Sequence, residues 1–163
     1  MPRGKNLRLI LMQRWAPKPW YIAFMRIAQV RIDRQLLRRS KGRISFCGST
    51  GAYALLLTTT GRRSGQQRST PLFYKPDGDA FIVVASNFGR RDHPAWSHNL
   101  LDQPRARVTV GNRDIPVIAR LLAGSEYDTW WQQFAAFSSA YRHYHETSGR
   151  TFRIFALEPV KRT

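Results

Sequence analysis

The residues best suited to chemistry lie in one stretch, Thr58 to Tyr74, which reads TTTGRRSGQQRSTPLFY. Arg62 and Arg63 stand side by side after a glycine, and the hydroxyl of Ser64 follows them. Glycines let backbone N–H groups approach a ligand, and arginines donate paired hydrogen bonds to phosphate or carboxylate oxygens. The stretch therefore suits an anionic ligand. A solvated basic hairpin tip has the same pattern, and spacing alone favours this simpler interpretation.

Other kinds of active site find little support in the sequence. The four histidines have no HExxH or similar ligand spacing, and the single cysteine, Cys47, forms neither a disulfide framework nor a cysteine metal site. The chain contains no GxSxG, Walker or Rossmann motif. We therefore expect no bound metal and no hydrolytic centre.

Strands and tight turns surround the basic stretch. An apolar strand is predicted over Tyr53–Thr59, and a second over Arg68–Tyr74, interrupted by Pro71. A short helix should begin at Pro94, with Asp92 or His93 near its cap. A third strand is predicted over 80–85, and later strands over 106–110, 115–121 and 151–157. Before the last strand we predict an aromatic helix with Ser125 as N-cap and Asp128 at the capping-box position.

This order of elements predicts an α+β fold. Strands that follow one another through tight turns favour an antiparallel barrel with helices packed outside it. A small barrel with an anion-binding loop and an aromatic lining suits a planar aromatic cofactor with a charged tail.

The charge divides the chain into two parts. Of the net charge of +17, residues 1–50 carry +11, because twelve Lys and Arg face one acid, and residues 51–163 carry +6. We therefore predict a basic N-terminal helical arm and linker at 1–50, with helices over 7–15 and 20–39, followed by the barrel domain at 51–163. No nucleic-acid-binding motif accompanies the charge, so we expect no nucleic-acid partner.

Two interpretations of the helix over 20–39 remain open. Its apolar residues, among them Ile32 and Leu36, share one face, and arginines such as Arg31 and Arg34 share another. Such a helix can lie on an anionic membrane surface or pack against its own domain. Because the sequence has neither a signal peptide nor an apolar run long enough to cross a bilayer, we expect a cytoplasmic protein, soluble or peripheral on the inner face of the plasma membrane.

Three sequence blocks carry a family resemblance. LLLTTTGRRSGQQRSTPL, DGDAFIVVASNFG and HPAWSHNL occur in this order within Tyr53–Pro159. Together they resemble the deazaflavin-dependent nitroreductase and quinone reductase family of actinobacteria. The resemblance implies a split β-barrel, reduced coenzyme F420 as cofactor, and hydride transfer to a quinone, nitro compound or activated alkene.

The resemblance also implies roles for individual residues. Ser86 and Tyr141 are expected to orient the electron acceptor, and Tyr141 or Tyr144 to donate a proton. The implied coenzyme-binding residues are Arg62, Arg63 and Ser64 at the charged tail; Arg68, Ser69, Thr70, Pro71, Leu72 and Phe73 along the deazaflavin; Val84, Ala85, Ser86 and Asn87 at the ring; and Ala95, Trp96, Ser97, His98 and Asn99 in the helix that completes the pocket.

The chain departs from the family pattern in its substrate pocket. Family members often have tyrosine where this chain has Phe73, Ser97 and Ser138, and Gly-Gly where it has Phe88-Gly89. We therefore expect quinone reduction rather than activation of bulky nitroimidazoles. Membrane-resident quinones also fit the basic arm.

Two alternatives to catalysis with coenzyme F420 stay open at this point. The chain could be a non-catalytic coenzyme carrier, or an FMN-binding barrel of related fold. A monomer and a homodimer are both compatible with the sequence, since strand edges predicted at Pro71 and Pro116 could pair with a second copy.

Overall fold

The computed structural model describes residues 30–40 and 53–160. The predicted helix over 7–15, residues 20–29 of the predicted helix over 20–39, Cys47 and most of the predicted linker lie outside the described residues. The described elements are α1 Val30–Arg39, β1 Ala54–Thr60, β2 Gln67–Asp77, β3 Ala80–Val84, a 3-10 turn Asn87–Gly89, α2 Ala95–Asp102, β4 Arg105–Val110, β5 Arg113–Leu121, α3 Gly124–Phe137, α4 Ser139–Ser148 and β6 Ile154–Pro159.

The six described strands close into an antiparallel barrel in the order β1-β2-β3-β6-β5-β4. The predicted α+β barrel with helices outside it is confirmed. The pairing partner changes within β2, because residues 67–73 pair with β1 and residues 74–77 pair with β3. Pro71 lies in the part that pairs with β1 alone, so the strand continues through it where the sequence predicted an interruption. Pro116 does not mark the predicted exposed edge, since it lies opposite Arg107 and its carbonyl accepts from the N–H of Val160.

Strand alternation divides the core into two layers. Phe81 and Val83 of β3 point into the barrel, where they pack with Leu55 and Phe155. Ile82 of β3 points outward into a second cluster that contains Trp130 and Phe134 of α3. Because both faces of β3 and β6 are buried, these strands are continuous apolar runs rather than alternating ones.

Helix α1 packs against β1 and β2. Its buried side chains are Asp33 and Leu37, which are four residues apart and share one face of the helix. Ile32 is 46% exposed, so the apolar face predicted to contain it is wrong by about one position. The arginines of α1, including Arg31 and Arg34, are exposed. This part of the arm therefore contacts the domain and still presents a basic outer surface.

The predicted start of α2 is close to the observed one, whereas the predicted cap of α3 is wrong. Helix α2 has Pro94 at its N-cap, next to His93, and no side chain caps it with a hydrogen bond. Helix α3 begins at Gly124, one residue before the predicted cap Ser125, and Ala123 stands at its N-cap without a side-chain hydrogen bond. The left-handed backbone of Gly124, with φ of 57°, turns the chain from β5 into this helix.

Two further boundaries concern α4 and β6. Helix α4 is separated from α3 by the extended Ser138, whose side chain accepts a hydrogen bond from the N–H of Ala140. Strand β6 begins three residues later than predicted, since residues 151–153 form no regular element.

Candidate functional site

The loop between β1 and β2, residues 61–66, forms a compact turn that we call the basic loop. The N–H of Gly61 donates to the carbonyl of Gln66 at 2.8 Å, and the N–H of Gly65 donates to the carbonyl of Gly61 at 2.7 Å. A Cβ at Gly61 would lie 2.7 Å from the Ser64 Oγ atom, so a larger residue there would have to displace the Ser64 side chain. Arg62 and Arg63 are exposed at its tip. The backbone of the loop is therefore fixed while its guanidinium groups face solvent.

Asn99 of α2 holds the basic loop against the barrel. Its Oδ1 atom accepts from the backbone N–H of Arg62 at 3.1 Å, and its Nδ2 atom donates to the hydroxyl of Thr59 at 3.0 Å. Asn99 and Thr59 are both buried. The structure thus places Asn99 at the loop. Its side-chain amide forms hydrogen bonds with other groups of the protein.

The other predicted residues of α2 lie in different environments. Trp96 is buried in the barrel core and packs on Phe155, with ring centroids 5.8 Å apart. Ser97 is fully buried, and its hydroxyl donates to the carbonyl of Pro94 at 2.9 Å. His98 is half-buried and Ala95 is exposed. Of the predicted helix residues, His98 and Ala95 are therefore the two that reach solvent.

The turn after β3, residues 85–90, has an unusual backbone. Asn87, Phe88 and Gly89 have positive φ angles of 50°, 52° and 73°. The Asn87 amide donates to the carbonyl of Asp92 at 2.8 Å. Consecutive left-handed residues cost free energy unless other contacts hold them, and Ser86 lies at the start of this turn.

Arg150 supplies such contacts. Its guanidinium donates to the carbonyl of Ala85 from both Nη atoms at 3.2 Å, to the carbonyl of Ser86 at 2.9 Å and to the carbonyl of Arg90 at 2.9 Å. It also lies 3.0 Å from the Nδ1 atom of His93. Arg150 therefore clamps the turn that carries Ser86.

Sequence reasoning missed Arg150 and a second arginine, Arg153. The Nη1 atom of Arg153 lies 3.3 Å from the Ser97 Oγ atom and 3.4 Å from the Nδ1 atom of His98. The only sequence signal for them is a pair of arginines three residues apart immediately before the last strand.

A group of basic side chains extends from this turn to the basic loop, and none of them forms an ion pair within 4 Å with a carboxylate of the described residues. We call it the basic cluster: Arg62, Arg63, His93, His98, Arg150 and Arg153. Burial, then the nearby Arg150, Arg153 and His98, lowers the pKa of His93 to about 4. Burial, then Arg153, Arg62 and Arg63, lowers the pKa of His98. Among residues 30–40 and 53–160, the ion pairs within 4 Å both involve Arg120, with Glu126 and Glu158. Within those residues, the positive charge of the basic cluster comes from its four arginines, and Asp92, the carboxylate that acts on Arg150 and His98, forms no ion pair within 4 Å with them.

The opposite end of β2 borders a pocket of about 310 Å³, which we call the aromatic pocket. Phe137 is 43% exposed and Tyr53 is 58% exposed at this pocket, and the Lys75 ammonium lies 5.5 Å from the centre of the Phe137 ring. Burial, then the neighbouring Tyr53, raises the pKa of Tyr74, so its hydroxyl stays protonated at neutral pH. The pocket is lined by Tyr53, Phe73, Tyr74, Lys75, Pro76, Gln133, Phe134, Phe137 and Tyr141.

The structure places the three residues predicted to act on the acceptor in two regions. Tyr141 lines the aromatic pocket, and its ring packs on Phe134 with centroids 5.4 Å apart. Tyr144 instead packs on Phe88 at the turn after β3, with centroids 6.4 Å apart. Ser86 is at the beginning of that same turn.

The predicted residues of β2 connect these two regions. Arg68 is exposed next to the basic loop, where its Nη2 atom donates to the Oε1 atom of Gln66 at 3.0 Å. Ser69 pairs its hydroxyl with that of Thr58 at 2.9 Å, and residues 69–73 are half-buried. Of the predicted strand residues, Phe73 reaches the aromatic pocket.

Neither a metal-binding group nor a membrane-spanning helix occurs in the described part of the chain. Residues 30–40 and 53–160 contain no cluster of three or more His, Cys, Asp or Glu that could hold a metal ion. Within the same ranges no helix is long and apolar enough to cross a membrane.

Comparisons with known proteins give a consistent result. A family model described as F420H(2)-dependent quinone reductase matches residues 29–159. An F420H(2)-dependent quinone reductase of Mycobacterium tuberculosis is 33% identical over 115 residues, which are 69% of this chain and 77% of the relative. A solved structure of an F420-H2 dependent reductase (FDR-A) is 32% identical, with a TM-score of 0.59 over 64% of this chain and 93% of that one. Another solved structure, described as a domain-swapped dimer, is 28% identical, with a TM-score of 0.60 over 78% of this chain and 97% of that one.

Proposed function

The chain belongs to the family of F420H(2)-dependent quinone reductases, and from this premise we propose how its own residues carry out the reaction. The protein is an oxidoreductase whose cofactor is reduced coenzyme F420 and whose electron acceptor is a quinone. The family assignment favours catalysis over a coenzyme carrier, and the deazaflavin over FMN. The residues that hold the two ends of the coenzyme and the source of the proton are our own assignment.

One observation carries the residue assignment, namely that β2 runs from the basic loop to the aromatic pocket. Ser69 follows the loop directly after Arg68, and Phe73 lines the pocket four residues further along the same face of the strand. At the rise of an extended strand Ser69 and Phe73 are about 13 Å apart. A coenzyme with a polyanionic tail and a planar ring fits such a surface, with its tail at the loop and its ring toward the pocket.

The residues present fit the charged part of the coenzyme. Arg62 and Arg63 are exposed, have no carboxylate partner among the described residues, and are presented by a loop whose backbone is fixed by internal hydrogen bonds. Guanidinium groups bind phosphate and carboxylate oxygens through two parallel hydrogen bonds, and a fixed backbone reduces the entropy lost on binding. We assign tail binding to Arg62, Arg63, Ser64 and Arg68, and positioning of the loop to Asn99.

When bound, reduced coenzyme F420 supplies the hydride, and the protein must position an acceptor and provide a proton. Reduction of a quinone to a hydroquinone takes up one hydride and one proton, so electrons and protons balance without a further reagent. We assign the proton to the Tyr141 hydroxyl, which lines the aromatic pocket. Tyr74 remains protonated and can donate a hydrogen bond to the other quinone oxygen. Water then restores the proton to Tyr141.

Ser86 and Tyr144 receive a different role from the one the resemblance implied for catalysis. Both lie at the turn after β3, and Tyr144 fills the space next to Gly89, where a Cβ would be 3.1 Å from the tyrosine ring. We propose that they shape the edge of the ring site, together with Val84, Ala85 and Asn87.

The test of this assignment is quinone reduction by single tyrosine variants. Reduced coenzyme F420 and menadione are mixed with the protein, and the fluorescence of the oxidised coenzyme is followed above the protein-free rate. Tyr141→Phe should lower kcat by about 100-fold or more, as loss of a general acid does. Tyr127→Phe is the matched control, because Tyr127 is a half-buried tyrosine of α3 outside the pocket. Turnover of Tyr141→Phe within threefold of the unchanged protein would assign the proton elsewhere, and Tyr74→Phe would then be the next variant.

We extend the proposal to acceptors other than quinones. The aromatic pocket is open to solvent and has Lys75 and Gln133 at its wall, so nitro compounds and activated alkenes of similar size should also enter it. The same fluorescence assay with each acceptor class ranks them by kcat/KM. Quinones should rank above bulky nitroimidazoles, and the reverse order would refute the ranking.

We also propose that the arm at 1–50 brings the protein to an anionic membrane surface from the cytoplasmic side, near membrane-resident quinones. Residues 1–50 carry a net charge of +11, and the exposed arginines of α1 add a basic outer surface to the barrel domain at 51–163. Arginines near an anionic bilayer contribute about 1 kcal/mol each. This attraction should weaken with salt.

Co-sedimentation with vesicles containing anionic lipid tests the membrane proposal on the full chain. The triple variant Arg31→Gln, Arg34→Gln, Arg38→Gln should lose most of the bound fraction at low salt. The triple variant Arg105→Gln, Arg107→Gln, Arg113→Gln removes the same charge from β4 and β5 and should keep it. An equal loss of vesicle binding in both variants would show that binding depends on the total charge of the protein and not on the arm, which would contradict the proposal. Light scattering of the same samples gives the molar mass, which separates the monomer from the homodimer.

A further inference from the structure

Two arginines near the start of β6 differ in how fully their hydrogen-bond donors are used. The Nε, Nη1 and Nη2 atoms of Arg150 all have partners, in the carbonyls of the turn after β3 and in His93. Among the described residues, Arg153 has partners only at Nη1, where it contacts the Ser97 Oγ atom and the His98 Nδ1 atom. Its Nε and Nη2 atoms have no hydrogen-bond partner in residues 30–40 and 53–160. Arg153 therefore keeps donors for a ligand, whereas Arg150 does not.

The surroundings of Arg153 favour an anion. Burial lowers its pKa, and a half-buried guanidinium that has no carboxylate partner in the described part of the chain gains stability when a negative group binds it. His98 beside it experiences the positive charge of Arg153, Arg62 and Arg63. The nearby carboxylate of Asp92 acts in the opposite direction and raises the pKa of His98. Among the described residues, however, Asp92 forms no ion pair within 4 Å with Arg153 or His98.

Helix α2 makes this region continuous with the basic loop. Three consecutive residues link them, because Ser97 and His98 contact Arg153 and Asn99 contacts the backbone of Arg62. Residues 97–99 of α2 thus contact both Arg153 and the loop that carries Arg62 and Arg63. A ligand that carries several negative charges along its length can therefore contact both the basic loop and Arg153.

We propose that Arg153 and His98 form a second anion subsite, continuous with Arg62 and Arg63, which binds a phosphate or carboxylate group of the coenzyme's tail. The inference rests on the proposed function, since it assumes that the tail lies at the basic loop. Arg153 donates from Nε and Nη2 to the anion, and His98 lies beside it as a neutral or protonated donor.

The experiment measures dissociation constants of the full chain for three probes. These are the coenzyme with several glutamates, the form with the phosphate but no glutamate, and the deazaflavin without either. Arg153→Gln should raise the dissociation constant of the first probe about 10-fold or more, as loss of a charge-assisted hydrogen bond does. Binding of the deazaflavin without phosphate should stay within twofold. The second probe identifies the anion: a full effect assigns the phosphate, and no effect assigns a glutamate carboxylate.

Two further variants keep the test decisive. Arg107→Gln removes one exposed arginine from β4, outside the basic cluster, and should leave all three constants unchanged. Arg153→Lys keeps the charge but not the planar fork, so it should give an intermediate loss, and it replaces Arg153→Gln if that variant does not fold. The proposal is overturned by unchanged binding of every probe, by an equal loss for the deazaflavin without phosphate, or by the same loss in Arg107→Gln. A loss of vesicle binding without loss of coenzyme binding would overturn it in favour of a lipid headgroup.

Quinone reduction by the unchanged protein separates this inference from the proposed function. If tailed coenzyme binds but menadione is not reduced, the proposed function fails while the pattern of dissociation constants still decides the role of Arg153. If menadione is reduced and Arg153→Gln binds every probe normally, the subsite alone fails.

Discussion

Replacing Arg150 by methionine should loosen the turn after β3 without removing the aliphatic packing at that position. The Arg150 guanidinium lies 4.7 Å from the centre of the Phe152 ring, and the methionine side chain can still cover this ring. The variant removes every hydrogen bond to the carbonyls of Ala85, Ser86 and Arg90. It therefore isolates the clamp from the packing.

The size of the effect depends on which carbonyls water can reach. Ala85 is fully buried, so its carbonyl loses both of its Arg150 bonds with no ready replacement, at a cost of about 1–3 kcal/mol. Ser86 and Arg90 lie at a half-buried to exposed turn, where water can replace the lost donors. Loss of the cation–π contact with Phe152 adds about 0.5–1 kcal/mol. We expect the free energy of unfolding to fall by about 2–4 kcal/mol in total.

The functional consequence should appear in coenzyme binding. Asn87, Phe88 and Gly89 keep positive φ angles only while other contacts hold them, so the turn should relax when the clamp is removed. We expect the KM for reduced coenzyme F420 to rise more than kcat falls, because the turn shapes the ring site and donates no proton. Arg150→Lys should be little more stable than Arg150→Met and should bind the coenzyme little better, since one ammonium group cannot reach three carbonyls.

Urea denaturation and menadione reduction measure the two effects on the same samples. Arg142→Met is the matched control, because Arg142 makes one exposed hydrogen bond to the carbonyl of Ala135 and should cost less than about 1 kcal/mol. The reasoning is refuted if Arg150→Met is as stable as Arg142→Met, or if it is destabilised while the KM for the coenzyme is unchanged.

Three other predictions concern the basic loop and the basic cluster. Gly61→Ala should destabilise the protein by about 1–3 kcal/mol in urea denaturation, because the new Cβ would lie 2.7 Å from the Ser64 Oγ atom. Adding Ser64→Gly should recover part of this loss, and additive losses of the two substitutions would contradict the contact. Asn99→Leu should lower the free energy of unfolding by about 2–4 kcal/mol and weaken coenzyme binding, because it leaves the buried Thr59 hydroxyl and the backbone N–H of Arg62 without their partner. A stable variant with a normal dissociation constant would show that the basic loop keeps its conformation without Asn99. His93 has its pKa lowered to about 4, so the stability it contributes is full above about pH 6.5 and is lost as pH falls toward 4. Histidine NMR titration checks the value, and the His93→Gln variant should lose less stability over this window than the unchanged protein does.

The sequence by itself determined the barrel to a large extent. Apolar runs separated by glycine, proline and aspartate turns predict consecutive antiparallel strands, since local turn chemistry acts between neighbouring residues. The basic loop and the aromatic helix were also visible in the sequence, and the structure shows that Trp130 and Phe134 of this helix are buried in the core. The family resemblance added the cofactor and the acceptor, which residue spacing could not supply.

Only the tertiary structure decided which residues meet across the fold. Arg150 and Ala85 are 65 residues apart, and Arg62 and Asn99 are 37 apart, so no local pattern connects them. The cap at Ala123 was mispredicted because the left-handed backbone of Gly124, and not a hydroxyl in a favourable position, turns the chain from β5 into α3.

The two tyrosines of α4 show the same limit within one helix. Tyr141 and Tyr144 are three residues apart and of the same type, so similar roles were predicted for them. In the structure one lines the aromatic pocket and the other packs on the turn after β3. Whether a side chain reaches a pocket depends on which elements pack on either side of its helix. That packing is set by long-range contacts through the barrel, which a single sequence does not record.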